Sequence, residues 1–181
     1  MITMLSLIAP LASAHPPAPP SPPPPPAPPE MSMSDDRGRG LGLGFDGGWV
    51  GTHYASGLRL DVPLVGQRFG LRLRTTTAYT DPAEVDGFSP TNGGALEMWA
   101  RSPVMGDVVR FYGGGGPHVA IDHTHELAIG GGGHFGLELL PLRKLGITVE
   151  LGRHWGHGAL VATRGASLMG GVVIYLGRQD G

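Results

Sequence analysis

The sequence contains no cysteine, which excludes disulfides and thiolate metal sites alike. Charged residues make up only 15% of the chain, against ~25% in ordinary soluble domains. The formal net charge is −2, so the clustered basic face that nucleic acid would require is missing, and no nucleic-acid partner is expected. No apolar run approaches the ~18 residues of a membrane-spanning helix. In their place stand 32 glycines and 18 prolines among 181 residues, with a hydrophobic content of 40%. At this length, one domain of roughly 140 residues plus a tail is expected.

The chain divides by composition. Residues 1–14 carry a short apolar core and end in Ala12-Ser13-Ala14, an A-x-A signal of the secretory type, although no Lys or Arg precedes the apolar stretch. A cleaved signal peptide and export are expected. Residues 15–39 form a proline-rich linker, in which 15–30 should extend as polyproline II for roughly 45 Å, followed by a polar lead-in. A barrel domain is assigned to 40–178 and a short tail to 179–181.

From Leu41 onward the dominant pattern is alternation. Ile147, Val149, Leu151 and Trp155 alternate with Thr148, Glu150 and His154; Phe135, Leu137 and Leu139 alternate with His134 and Glu138. A period of two means strands whose two faces meet different environments. Eight strands are predicted, at 41–51, 56–62, 69–79, 95–101, 107–119, 127–139, 146–155 and 166–176, each bounded by Gly, Pro or Asp. Connections at 63–67, 102–106 and 140–145 are tight. Those at 80–94 and 156–165 are long, and those at 52–55 and 122–126 are short but polar.

An even number of antiparallel strands about ten residues long, with short turns at one end and longer loops at the other, resembles the small eight-stranded bacterial outer-membrane β-barrels. The resemblance covers about residues 40–177 and rests on architecture. It implies an all-β fold, a closed antiparallel up-and-down barrel behind a disordered proline-rich N-terminal tail. It implies an outer-membrane location, contact with outer-membrane lipid and a monomer. Closure also removes sheet edges, which in lipid would leave backbone groups unsatisfied at several kcal/mol each. Such barrels usually close on a terminal aromatic residue. Here 170–176 reads as the closing strand, with Tyr175 or Leu176 in that role and five residues beyond.

Strand parity assigns the apolar set to lipid, with Trp49, Tyr79 and Trp155 at the loop end as an aromatic belt. The inward set then holds Asp46, Asp61, Glu97, Glu138 and Glu150 against Arg59, Arg72, Arg74, Arg101 and Arg110. An eight-stranded lumen is just wide enough for its side chains, so these charges must pair, hydrogen-bond or hold water. A plugged, ion-paired lumen is expected. Arg153 breaks the rule, on the lipid-facing parity near a strand end, where it can snorkel to headgroups.

Two glycine runs, 113–116 and 130–133, look superficially like phosphate-binding loops, but no strand-loop-helix context follows either. A hairpin turning at 122–125 would place Gly114 near Gly133 and Gly116 near Gly131. The resulting patch without side chains on the fifth and sixth strands suits sharp bending or close approach by another surface. Histidines gather at the loop end. His53, His123, His125 and His157 are candidate ligands for a divalent metal, because His-x-His on an extended segment presents both imidazoles to one side. Solvated polar loops are the simpler account of them.

No constellation in the chain demands chemistry, and no cofactor is expected. The leading reading is a non-enzymatic outer-membrane barrel acting in envelope structure or, through its outer loops, in adhesion or interaction with an extracellular ligand. A lipid A-modifying enzyme would draw on His123 or His125 with Glu126, but no serine occupies that hairpin, and Ser89, Ser102 and Ser167 are not at matching spacings. A soluble lipocalin-like barrel would invert the parity, turning Leu137 and Val149 inward and Glu138 and Glu150 outward.

Overall fold

A computed structural model of the protein describes residues 33–34, 37–80, 89–121, 125–157 and 164–177. The expected signal peptide, nearly all of the linker and the C-terminal tail lie outside these residues.

Eight long strands run in chain order: β1 (Leu41–Val50), β2 (His53–Val65), β3 (Phe69–Thr80), β4 (Ser89–Arg101), β5 (Val109–Ile121), β6 (Leu127–Leu142), β7 (Leu145–His157) and β8 (Gly165–Leu176). Each pairs antiparallel with the next. β8 returns to β1, from Ser167 opposite Val50 to Leu176 opposite Leu41. The sheet therefore closes into an up-and-down barrel without an unpaired edge among these strands. Among the described residues no helix is long and apolar enough to cross a membrane.

The alternation becomes an inside and an outside. Phe45, Leu58, Phe69, Met98, Ile129, Leu151 and Trp155 are exposed on the outer wall, whereas all ten acids and arginines of the inward set are at most 9% exposed. Glu138 and Glu150 are buried and Val149 is exposed, which rules out the inverted, lipocalin-like arrangement. At the loop end Trp49 meets Tyr54 edge-on at 5.9 Å and Tyr54 stacks on Tyr79 at 6.0 Å. Arg153 lies on the outer face two positions from Trp155, opposite Gly133 and Ala166.

Two of the tight turns share one chemistry. Gly66 and Gln67 both have positive φ (55° and 60°), as do Gly106 and Asp107 (55° and 60°). Two left-handed residues in succession make the primed turn whose twist matches flanking strands. Arg68 N donates to Val65 O at 3.0 Å and Val108 N to Met105 O at 3.3 Å, closing each turn. The third turn shrinks to Arg143-Lys144, since Leu142 already pairs with Leu145.

Three expectations change. β2 begins at His53 and not at 56, so the connection expected at 52–55 is mostly strand. β4 begins at Ser89 and not at 95, with Pro90 opposite Tyr79 and Gly93 opposite Thr76. Of its first six residues only Pro90 is apolar, so the stretch carries no alternation to mark it as strand. The glycine runs are also one position out of the expected register: Gly115 faces Gly133 and Gly116 faces Gly132. Residues directly opposite across an antiparallel pair share a face. Gly114 points inward and Gly133 outward, so the expected pairing was impossible once Phe111–Leu137 and Val119–Ile129 faced out together. A Cβ on Gly116 would stand 2.1 Å from Leu96 O, so the glycines allow close strand approach at this bend.

The lumen has three tiers. Val104, Leu140, Val173 and Tyr175 form an apolar group at the turn end, and Val50, Ala55, Ala78 and Met169 another at the loop end. The charges lie between. Beneath the turn end, Met33–Ser34 pairs with Val104–Met105. Gly38 N donates to Arg143 O at 2.9 Å, Arg37 Nη1 to Leu140 O at 3.0 Å, and Gly40 N to Gln67 Oε1 at 2.9 Å. Residues 37–40 are thus strapped across the turns.

Candidate functional site

The inward charges are carried by strands whose opposite parity is apolar, so the same register that hides Asp61, Arg72 and Glu150 exposes Leu58, Leu73 and Leu151. Glycines on the inner face supply the room. Cβ atoms on Gly146 and Gly171 would stand 2.0 and 2.1 Å from Glu138 Oε1 and Asp46 Oδ1. Large polar groups therefore sit opposite missing side chains.

The middle tier is organised around Glu150. Arg74 Nη2 donates to Glu150 Oε2 at 2.8 Å while Arg74 Nη1 lies 2.7 Å from Oε1. Arg72 Nη1 donates to Oε2 at 3.1 Å and the Tyr112 hydroxyl at 3.2 Å. Arg72 turns its other edge to Asp61, with Nε to Oδ1 at 2.6 Å and Nη2 to Oδ2 at 3.4 Å. Arg59 sits between Asp46 (Nη1 to Oδ1, 3.4 Å) and Thr148 (Nη2 to Oγ1, 3.4 Å). His134 Nε2 is 3.1 Å from Arg72 Nη1. Side-on and forked guanidinium–carboxylate pairing of this kind adds geometric specificity to the charge attraction.

A separate cluster stands nearer the turns. Arg110 Nε donates to Glu138 Oε2, Arg110 Nη2 to the Tyr175 hydroxyl, and that hydroxyl to Glu138 Oε1, each at 2.6 Å. Arg110 Nη1 also reaches Gly38 O at 3.3 Å, tying the strap to the lumen. Among the described residues no carboxylate pairs with Arg101. Its Nε donates to Gln67 O and its Nη2 to Gln67 Oε1 at 3.3 Å. Its guanidinium lies 4.5 Å over the Trp99 ring and 5.8 Å from that of Tyr175. Turn carbonyl and aromatic faces replace an acid here.

Above the middle tier, toward the loop end, is a cavity of about 50 Å³. Arg74, Glu97, His118 and His154 meet there with Val50, Ala78, Ala95, Ala120 and Met169. The His118 and His154 rings pack edge to face at 5.7 Å. Glu97 Oε2, Arg74 Nε and His118 Nδ1 are buried without a hydrogen-bond partner.

The histidines named as rim ligands are placed differently. His53 is buried on the inner face at the start of β2, and His125 is exposed with φ 64°. His157 ends β7, and His123 lies outside the described residues. Among the described residues no group of three or more His, Cys, Asp or Glu could hold a metal. Of the serines considered for catalysis, Ser102 is engaged at a turn, its Oγ donating to Pro103 O at 2.8 Å and accepting from Phe111 N at 3.0 Å. Ser167 is buried in the lumen. Sequence reasoning missed the lumen hydroxyls of Tyr112 and Tyr175, the Gln67 acceptors and the strap. Parity alone carried a signal for the first two: Tyr112 alternates with Phe111 and Tyr175 with Leu176, so Leu176 and not Tyr175 stands on the outer face.

No family model matches the chain, and no curated protein matches it by sequence. Among solved structures, the chain is similar in fold to the crystal structure of Ail, the attachment invasion locus protein of Yersinia pestis. That likeness has 11% identity and a TM-score of 0.44, and covers 74% of this chain and 95% of that one. The structure of Yersinia pestis Ail in a phospholipid bilayer nanodisc gives 12% identity and a TM-score of 0.42, covering 75% and 99%.

Proposed function

We propose that this chain is a non-enzymatic outer-membrane barrel with a plugged lumen, which acts in envelope structure or through its outer loops. The observation that carries the reading is the inversion of polarity. Apolar side chains encircle the outside, among them Met98 at 72% exposure and Leu58 at 61%, while the charged residues are sealed within. In water such a surface would far exceed the few hundred Å² of contiguous apolar area that soluble monomers tolerate. In lipid it is the expected solution. From Leu145 to Trp155 the outer face of β7 rises ten positions, about 25 Å once strand tilt is allowed for, which is the apolar height of such barrels.

The ion pairs fill the lumen width from Asp46 to Glu150, and the strap at 37–40 lies across the turn end. The lumen is thus read as a set of struts and not as a conduit. Action then falls to the loop-end connections. The loop partner would be a surface component of another cell or an extracellular molecule.

The test is fractionation of cells expressing the full chain, followed by electrophoresis with and without heating. The folded protein should pellet with outer membranes and change mobility on heating, and vesicles containing it should show no ion conductance above background. Solubility in detergent-free buffer with heat-independent mobility would overturn the membrane assignment. Steady conductance would overturn the plugged lumen.

A further inference from the structure

The strap engages every connection at the turn end. Gly40, the residue before β1, donates its N–H to Gln67 Oε1 in the β2–β3 turn at 2.9 Å. It also lies against the end of β8, where a Cβ on Gly40 would stand 2.6 Å from Leu176 O and Gly177 Cα. Gly38 N donates to Arg143 O in the β6–β7 turn at 2.9 Å, and Arg37 Nη1 to Leu140 O and Pro141 O beside it at 3.0 and 3.4 Å. Over the lumen, Gly38 O accepts from Arg110 Nη1 at 3.3 Å. Met33 and Ser34 pair with Met105 and Val104 in the β4–β5 connection. In a ring of eight strands that connection is diametrically opposite the β1–β8 seam. The strap therefore leaves the seam, crosses the turn end of the lumen and reaches the far wall.

These contacts exist together only in a closed barrel. In an open sheet β1 and β8 are opposite edges, seven strand spacings or roughly 34 Å apart. The eight residues 33–40 span at most about 28 Å fully extended, so Gly40 could not lie against Leu176 and Gly177 before closure. The glycines fit the same place. Gly38 and Gly40 have φ of 62° and 90°, and a Cβ on Gly38 would stand 2.7 Å from Arg110 Nη2, so side chains are excluded at both. Among the eight wall strands, β1–β8 is also the one pairing between strands that are not consecutive in the chain. No short turn holds it. We propose that the strap is a latch on the β1–β8 seam, which docks after the barrel has closed and keeps the seam shut. A contact made after closure is missing from the folding transition state, so its loss speeds unfolding and leaves the folding rate alone. The inference goes beyond the reading of the barrel as an envelope protein and rests on the fold.

The test measures folding and unfolding rates of the full chain in lipid vesicles, read from gel mobility without heating. Gly38→Val displaces the strap away from the seam, and Arg37→Ala removes its two donations to residues 140 and 141. Each should unfold about tenfold faster, the worth of one hydrogen bond to a charged group, and fold at the parent's rate. The chain has no cysteine, so Leu43→Cys with Ile174→Cys, directly opposite across the seam, can lock it covalently. With that pair oxidised, either strap substitution should leave the unfolding rate unchanged, and reduction should restore the difference. Arg37→Ala leaves the strap's glycines intact and decides the matter if Gly38→Val does not fold. Parent-like unfolding of the strap variants, an equal loss in folding rate, or acceleration that survives oxidation would overturn the proposal and leave the strap a brace on the turns. Fractionation with outer membranes is independent of all these outcomes, so the two readings fail separately.

Discussion

Removing the Glu150 carboxylate is the sharpest perturbation of the strutted lumen. Its Oε2 accepts from Arg74 Nη2 at 2.8 Å, Arg72 Nη1 at 3.1 Å and the Tyr112 hydroxyl at 3.2 Å, and its Oε1 lies 2.7 Å from Arg74 Nη1. In Glu150→Ala, Arg72 keeps Asp61, but the remaining acids near Arg74 are Asp46 Oδ2 at 3.8 Å and Glu97 Oε1 at 3.9 Å. Neither is close enough for a direct hydrogen bond. Breaking a buried pair by removing one partner costs about 3–5 kcal/mol; with Asp46 and Glu97 still within 4 Å of Arg74, a loss at the lower end of that range is expected. Glu150→Gln keeps a carbonyl acceptor while removing the charge, so about 1.5–3 kcal/mol is expected. Adding Arg74→Ala to Glu150→Ala removes the stranded charge, and the double variant should cost less than the summed singles by about 1–3 kcal/mol. The assay is urea unfolding of the barrel in lipid vesicles, with the folded fraction read from gel mobility without heating. A loss under 1 kcal/mol for Glu150→Ala, or strict additivity in the double variant, would refute the view that this carboxylate holds the middle tier.

Three other outcomes follow from the geometry. Val149→Arg puts a charge on the lipid-facing side of β7 between Ile147 and Leu151; it should cost about 2–4 kcal/mol in bilayers if that position is near the midplane, measured by the same unfolding assay. Tyr175→Phe removes the hydroxyl shared by Arg110 and Glu138 at 2.6 Å each; the loss should be about 1–3 kcal/mol, with unchanged strand content by circular dichroism. Gly146→Val would bring a Cβ to 2.0 Å from Glu138 Oε1; that oxygen must move off the Tyr175 hydroxyl, and about 1–3 kcal/mol of overpacking cost should appear as a lower urea midpoint.

Alternation in the sequence reported faces faithfully because only two environments exist along a strand in lipid. Thr148, Glu150, Ile147 and Val149 took their sides from parity alone. Where that contrast disappears, the signal disappears with it. Ser89 to Gly94 show no alternation, with Pro90 their one apolar side chain, and look like loop, yet they pair with β3 residue for residue. Register was legible only as far as parity constrains it, so the glycine runs of β5 and β6 were brought together but one position out of step. Neighbour identity was not legible at all, and Arg101 shows why this matters. Counted by charge it balances an acid; placed in the barrel it rests on Trp99 and the Gln67 carbonyl.

That placement changes the electrostatics of the whole lumen. Five acids against five arginines suggests a closed ledger, but the count holds only if every charge can reach every other. The barrel separates them. Arg101 is tied to a turn, where a backbone carbonyl and an indole face stand in for its counterion, while Asp61 and Glu138 line the same recess without pairing with it. The strap at residues 37–40 offers carbonyl oxygens to Arg110 at the turn end, whereas Glu97 meets its arginines only at 3.8 and 3.9 Å, with Oε2 accepting no hydrogen bond.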